Sequence, residues 1–213
     1  ISGKHAFARV LDGVLLDAAP VSLDAGSRGL ELAELLAAKL RGAAGNGVAY
    51  NLDPLSTLSA GEALRDADVK DATAFAARMT SAMPQAHAIR VNARIAHEAG
   101  GTPAQEVALA LCSGIFYLRA LIAAGLSPAD AASSLQFYIG VGPETLHEAA
   151  KLRALRLCWA RITEASGDVS AAHIHAVTGR RMLTRYDAWT NILRVTTAAC
   201  GAAIGGADII TTL

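Results

Sequence analysis

The first thing this sequence lacks is a net charge: 19 Lys and Arg residues balance 19 Asp and Glu residues in 213. No long basic run interrupts that balance. A neutral chain exerts no general pull on nucleic acid or on an anionic bilayer, so neither is expected as a partner. Paired cysteine is also missing. Cys112, Cys158 and Cys200 are odd in number, far apart and without a Cys-x-x-Cys spacing. That excludes a disulfide framework and suits a reduced, cytoplasmic compartment, with all three expected as small buried hydrophobes. The least polar stretch, "VTTAACGAAIGGADIITTL", is broken by Gly201, Gly205, Gly206 and Asp208; it reads as a helix end, a turn and a strand, not a membrane span. The chain opens Ile-Ser-Gly-Lys with no charged region leading an apolar one. No signal peptide is expected, and the opening suits an excised piece of a longer chain.

Common catalytic signatures are missing as well. "GVGPET" at 140–145 follows an apolar run but lacks the third glycine and the lysine of a phosphate loop, so it reads as a tight strand-to-helix turn. His97-Glu98 and His147-Glu148 each lack the second histidine of a zinc helix. No Gly-x-Ser-x-Gly elbow occurs. His173 and His175 alternate on one strand face without a third ligand at a sensible spacing, so no metal site is expected.

What the chain does contain is 53% hydrophobic residues and a mean hydropathy of +0.34, enough for a substantial core. Short β-branched or apolar runs at 17–26, 47–54, 87–93, 134–142, 171–179 and 207–213 are predicted strands. Alanine-rich helical patterns fall near 28–41, 71–83, 103–124, 143–166 and 187–204. This alternation predicts an α/β fold with a parallel sheet whose strands are buried on both faces. Thr102-Pro103-Ala104-Gln105 is a helix start with a capping box, and Gly125 ends that helix. From 143 to 166, Leu146, Ala149, Ala150, Leu152, Leu155, Leu157 and Trp159 are expected to pack on the sheet. Six strands are too few for a complete eight-stranded barrel of about 250 residues. An open doubly wound sheet and a barrel lacking two strands both remain.

The stretch "AIRVNARIAHEAGG", residues 88–101, runs from a strand into a loop and a helix start, where parallel α/β proteins carry their chemistry. Arg90, Asn92 and Arg94 share a face there. The plain expectation is salt-bridged groups at a strand end.

"AHEAGGTPAQEVALALCSGIFYLRALIAAGL", "LQFYIGVG", "AKLRALRLCWA" and "LTRYDAWTN" together resemble the methylmalonyl-CoA mutase family, over nearly the whole chain from about residue 10. The resemblance implies a TIM-type (β/α) barrel substrate domain, represented by strands three to eight in a single unit over 1–213. It implies adenosylcobalamin in the complex. The family's cobalamin loop, Asp-x-His-x-x-Gly, does not occur here, so none is expected to bind this segment.

Family members are catalytic chains or smaller, non-catalytic partners, and several positions discriminate between them. Catalytic chains carry Ser-Gly-Tyr-His where this sequence has Asn92, Ala93, Arg94 and Ile95. Ile95 stands where a histidine would contact the thioester carbonyl, and it can neither donate a hydrogen bond nor pass a proton. The CoA-binding Arg-Leu-Ser is Ser134-Leu135-Gln136, which removes a fixed cation. Thr-x-Gln is Ala49-Tyr50-Asn51, and a glutamine ahead of Thr178 is Val177. Glu98, Asp187 and Asn191 match the family and are read as groups bonding loops and helix starts; His97 is read as a rim residue.

These departures imply a non-catalytic small subunit that stabilises a homologous catalytic large subunit in a heterodimer. The alternatives are an active acyl-CoA mutase with altered substrate contacts and a free-standing α/β domain for an acyl ligand.

Overall fold

A computed structural model describes residues 4–16, 18–40, 47–59, 61 and 63–213. Five parallel strands, β1 (Ala49–Leu52), β2 (His87–Asn92), β3 (Leu135–Val141), β4 (His173–Thr178) and β5 (Ile209–Thr211), form one curled sheet in the order β1-β2-β3-β4-β5. Each lies within a predicted run. Every crossover carries helix: α2 (Gly29–Lys39) precedes β1, and α3 (Ser56–Ser59) and α4 (Asp66–Ala82) precede β2. Next come α5 (Arg94–Glu98), α6 (Pro103–Ala123) and α7 (Pro128–Ser133) before β3, then α8 (Thr145–Ala165) before β4 and α9 (Thr190–Ile204) before β5. A short α1 (Lys4–Val10) opens the chain. In chain order α4, α6, α8 and α9 each touch the next, so they form one continuous layer.

The sheet's two faces differ in chemistry. Ile89, Val91, Phe137, Ile139, Ile174 and Ala176 are buried and alternate with the residues of the opposite face. Phe137 meets Trp159 of α8 edge-on, with ring centroids 4.8 Å apart. Gly114 lets α6 approach that pair: a Cβ there would lie 2.9 Å from Trp159 and 3.1 Å from Phe137. α6 is long and apolar enough to cross a membrane by length and composition. A third of that apolar stretch of α6 is buried, Ala110, Tyr117, Leu118 and Leu121 packing in the core, while Phe116 and Ile122 are exposed. Its N-terminus has the expected reciprocal bonds between Thr102 and Gln105, and Gly125 follows its end at φ +98°.

Several expectations are corrected. The run 17–26 forms no strand among its described residues. Ser22 makes a single bridge to Ala49, with Ala49 N–H donating to Val21 O and Leu23 N–H to Ala49 O. Asn51 stops the ladder there. It sits at φ 55°, a left-handed conformation that asparagine tolerates better than most residues, and the β1–β2 register shifts across it. The fourth helix starts at Asp66, five residues earlier than its apolar periodicity indicates. All three cysteines are exposed on the outer faces of α6, α8 and α9. Leu146, Ala150 and Leu157 also point outward, while Leu152, Leu155 and Trp159 take the sheet-facing side of α8.

Candidate functional site

The carboxyl ends of β1 and β2 gather the polar groups. Arg90 is buried on the face away from the helices, its guanidinium 5.1 Å from the Tyr138 ring centre and 3.1 Å from Asp24 Oδ1. Its Nε lies 3.9 Å from Asp53 Oδ2, and Asp53 Oδ1 accepts a hydrogen bond from Tyr117 at 2.9 Å. Burial raises the Asp53 carboxyl above its ordinary value, against the opposing pull of Arg90 and Tyr117. Burial likewise pushes the Tyr117 phenol up, with Asp53 adding to it.

Next along the sheet, Gln136 Nε2 meets His173 Nδ1 at 3.2 Å, His173 stacks on His87 at 3.8 Å, and His175 bonds Thr211 at 2.8 Å while its ring abuts Tyr138. His173 and His175 do share a face; His173 Nδ1 pairs with Gln136 and His175 Nε2 with Thr211, while His175 Nδ1 is buried without a hydrogen-bond partner among the described residues. Among the described residues no three His, Cys, Asp or Glu groups gather as metal ligands. The interior face is therefore lined by polar side chains in mutual contact, with Arg90 Nε, Gln136 Oε1 and His175 Nδ1 buried without a hydrogen-bond partner among the described residues.

These histidines make a pH prediction. Burial, then the Arg90 charge, lowers His175 from 6.5 to about 4; burial and the neighbouring His173 lower His87 to about 4. In the unfolded chain both take a proton near pH 6.5, whereas the folded chain resists until about 4. Stability is thus full above pH 6.5 and falls as pH drops toward 4. Urea midpoints are expected to fall from pH 7 to pH 5, and His175→Gln should flatten that slope; an unchanged slope would contradict it.

The positions singled out by sequence lie at two ends of the sheet. Ile95, half in solvent on α5, lines a cavity of about 560 Å³ with Asn92, Arg94 and Tyr138, and one of about 260 Å³ with Asp53 and Ser59. Arg94 Nη2 donates to Glu98 Oε1 at 2.6 Å, and the same oxygen accepts Arg180 N–H at 3.0 Å. Asn191 clamps Thr184 through both ends of its amide, and Asp187 accepts from the Thr190 hydroxyl at the start of α9. Val177 is buried on β4 beside Gly140 and Thr211. Asn51 Nδ2 donates to Ser22 Oγ and Leu23 O, and Ala49 is buried next to it. Ser134 and Gln136 stand at the other end of β3, about 20 Å from its carboxyl end at the usual strand rise. Ser134 bonds the last carbonyls of α7. Each of Asn51, Arg94, Glu98, Ser134 and Gln136 thus has a partner within the chain.

Sequence reasoning missed one cluster. His97 is not a rim residue: it is buried beneath Gly140 and Gly179, where a Cβ would come within 2.5 Å and 2.4 Å of its ring. Its Nδ1 lies 3.6 Å from Glu106 Oε2. Lys151 Nζ reaches Glu106 at 2.8 Å, Glu148 at 2.5 Å and Gly140 O at 2.6 Å. Glu106 accepts Gly140 N–H and Glu148 accepts Gly142 N–H. Burial alone would raise the Glu106 carboxyl, but contact with His97 and Lys151 outweighs it and holds the group below its usual range. Glu148 and Lys151, one turn apart, were the available signal: charges on the sheet-facing side of a helix.

The chain is a parallel α/β half-barrel with a polar interior face and a rim of strand-to-helix turns. By sequence the chain belongs to the methylmalonyl-CoA mutase family: the family profile described as "Methylmalonyl-CoA mutase" matches residues 1–213. It is 40% identical to the methylmalonyl-CoA mutase small subunit of Streptomyces virginiae, over 96% of this chain and 34% of that protein. It is 36% identical to the probable methylmalonyl-CoA mutase small subunit of Mycobacterium tuberculosis H37Rv, over 94% of this chain and 33% of that one. The methylmalonyl-CoA mutase of Escherichia coli K12 is 34% identical over 61% of the chain. The chain spans about a third of the length of the small subunits it matches. The family's isomerases use adenosylcobalamin.

Proposed function

We propose that this chain is the partial TIM-type barrel of a non-catalytic small subunit of methylmalonyl-CoA mutase. It supports a homologous catalytic large subunit that interconverts methylmalonyl-CoA and succinyl-CoA in the cytoplasm. The observation that carries this is the filled interior. Arg90, Gln136, Tyr138, His173 and His175 occupy the face that a barrel enzyme would leave open for a threaded acyl-CoA arm, and they pack on one another through the Gln136–His173 hydrogen bond and the contacts of Arg90 and His175 with the Tyr138 ring. Ile95 adds an aliphatic group at the mouth, where catalysis needs a donor. The names of the small-subunit relatives and the sequential strand order support the same reading.

The described residues do not fit a cobalamin. His97 Nε2 has no hydrogen-bond partner among them, but Gly179 covers it, and His147 lies exposed on α8 outside any Asp-x-His-x-x-Gly loop. When bound in the large subunit, the cofactor supplies the radical chemistry. This chain's own groups hold the sheet and present its outer surface.

The test is coupled mutase turnover by the full-length chain without its partner, in wild-type form and as Ile95→His. Both are expected at background. A restored donor is worth roughly 3–4 kcal/mol in a transition state only where the substrate is already held, and misplacement by about 1 Å can cost a hundredfold. Turnover well above background in either form would establish a substrate variant instead.

A further inference from the structure

Helices α8 and α9 pack in parallel with almost no gap. A Cβ at Gly201 would lie 2.9 Å from Thr145 O, and one at Gly205 would lie 3.0 Å from the Ala149 Cα. Thr145 Oγ1 also donates to Thr197 O. The two outer faces therefore form one surface, which carries large apolar side chains beside the exposed Arg153, Arg161 and Glu164 of α8. Leu146, Leu157, Trp189, Ile192, Leu193 and Ile204 are between 48% and 81% exposed. Along α9, every exposed residue from Ile192 to Ile204 is uncharged.

Six large apolar side chains so exposed present on the order of 600–800 Å². The sum, interrupted on α8 by Arg153, matches or exceeds the roughly 300–600 Å² of the largest patch on an ordinary monomer. It approaches the ~800 Å² that each partner contributes to a standard interface. The exposed side of α9 is uncharged, its one cation, Arg194, being half-buried against Asn191, which disfavours an ionic partner there. Thr196, Cys200 and Ala203, spaced four and three apart, are small enough for a helix to approach the α9 backbone closely.

We propose that the outer face of α8 and α9 is where the large subunit docks, through an apolar helix of its own. This rests on the small-subunit reading and adds the surface to it. The exposed thiol of Cys200 lies within the face and serves as a native reporter.

The experiment is maleimide labelling of the full-length chain, alone and mixed with the large subunit, alongside light scattering for complex formation. Expected is fast labelling of Cys200 in the free chain and at least tenfold slower labelling in the complex. Leu193→Glu is expected to weaken association tenfold or more, with an unchanged melting temperature because the side chain is exposed. Val169→Glu, at an exposed apolar position in the loop beyond α8, should leave association unchanged. A complex that forms while Cys200 still labels at the free rate overturns this surface but spares the small-subunit reading. Slow labelling of the free chain overturns it too, since the chain's own remainder would then cover the face. No complex at all overturns the subunit reading itself.

Discussion

Replacing Lys151 by methionine in the full-length chain is expected to cost about 3–5 kcal/mol, the penalty for stripping the partner from buried charge. Lys151 is the only cation that reaches both Glu106 and Glu148 among the described residues, and all three side chains are 5% exposed or less. Without it two carboxylates face one another away from water, and Gly140 O loses its donor. Folded domains are stable by only about 5–15 kcal/mol, so a large share of the total is at stake. In a domain of this size that corresponds to a melting point lower by roughly 6–20 °C. The triple variant Lys151→Met, Glu106→Gln, Glu148→Gln should be milder than the single change. It removes the charges together, while the amide oxygens can still accept Gly140 and Gly142 N–H. Urea unfolding decides: a single-variant loss under about 1 kcal/mol would mean that water reaches the cluster.

A comparable loss is expected for Trp159→Ala, about 3–5 kcal/mol for a large aromatic removed from a packed core. Trp159 is fully buried, stands edge-on to Phe137, and fills the space that Gly114 opens. Its Nε1 has no hydrogen-bond partner among the described residues. The energy is therefore one of packing, and Trp159→Phe should cost well under half as much. Equal losses for the two variants would instead point to a hydrogen bond. Filling the opposite wall with Gly114→Ala should itself destabilise, since the new Cβ would meet two rings.

Much of this was legible in the sequence because burial leaves a periodic trace. The five strands coincide with β-branched runs, and the capping box at Thr102 and the glycine at 125 fix α6 almost to the residue. The run at 17–26 was misread for a physical reason. Pro20 has no N–H to give a ladder, and the left-handed Asn51 opposite limits the segment to one bridge. Apolar periodicity also cannot say which apolar surface a residue covers. Leu146 and Leu157, eleven residues or three turns apart, form an outer stripe that reads like a core stripe until the sheet is placed. The exposed cysteines follow the same logic.

The candidate site was legible in a different way. Ile95, Ser134 and Val177 stand out only against the family's catalytic pattern, so they were legible through the resemblance and not through any motif of their own. What fills the interior depends on pairs such as Gln136 with His173 and Arg90 with Tyr138, brought together only by register. The buried cluster draws on helices 45 residues apart, Glu106 and Lys151, so no local motif marks it.

On the proposed reading, this chain contributes structure and its partner contributes chemistry. Binding stoichiometry tests that most directly: titrate the purified pair of full-length subunits with an acyl-CoA substrate analogue in a calorimeter. One analogue bound per heterodimer is the expected result, with none bound by the small chain alone. Two per heterodimer would contradict it, because the interior around Arg90, Gln136 and Tyr138 would then be open to substrate.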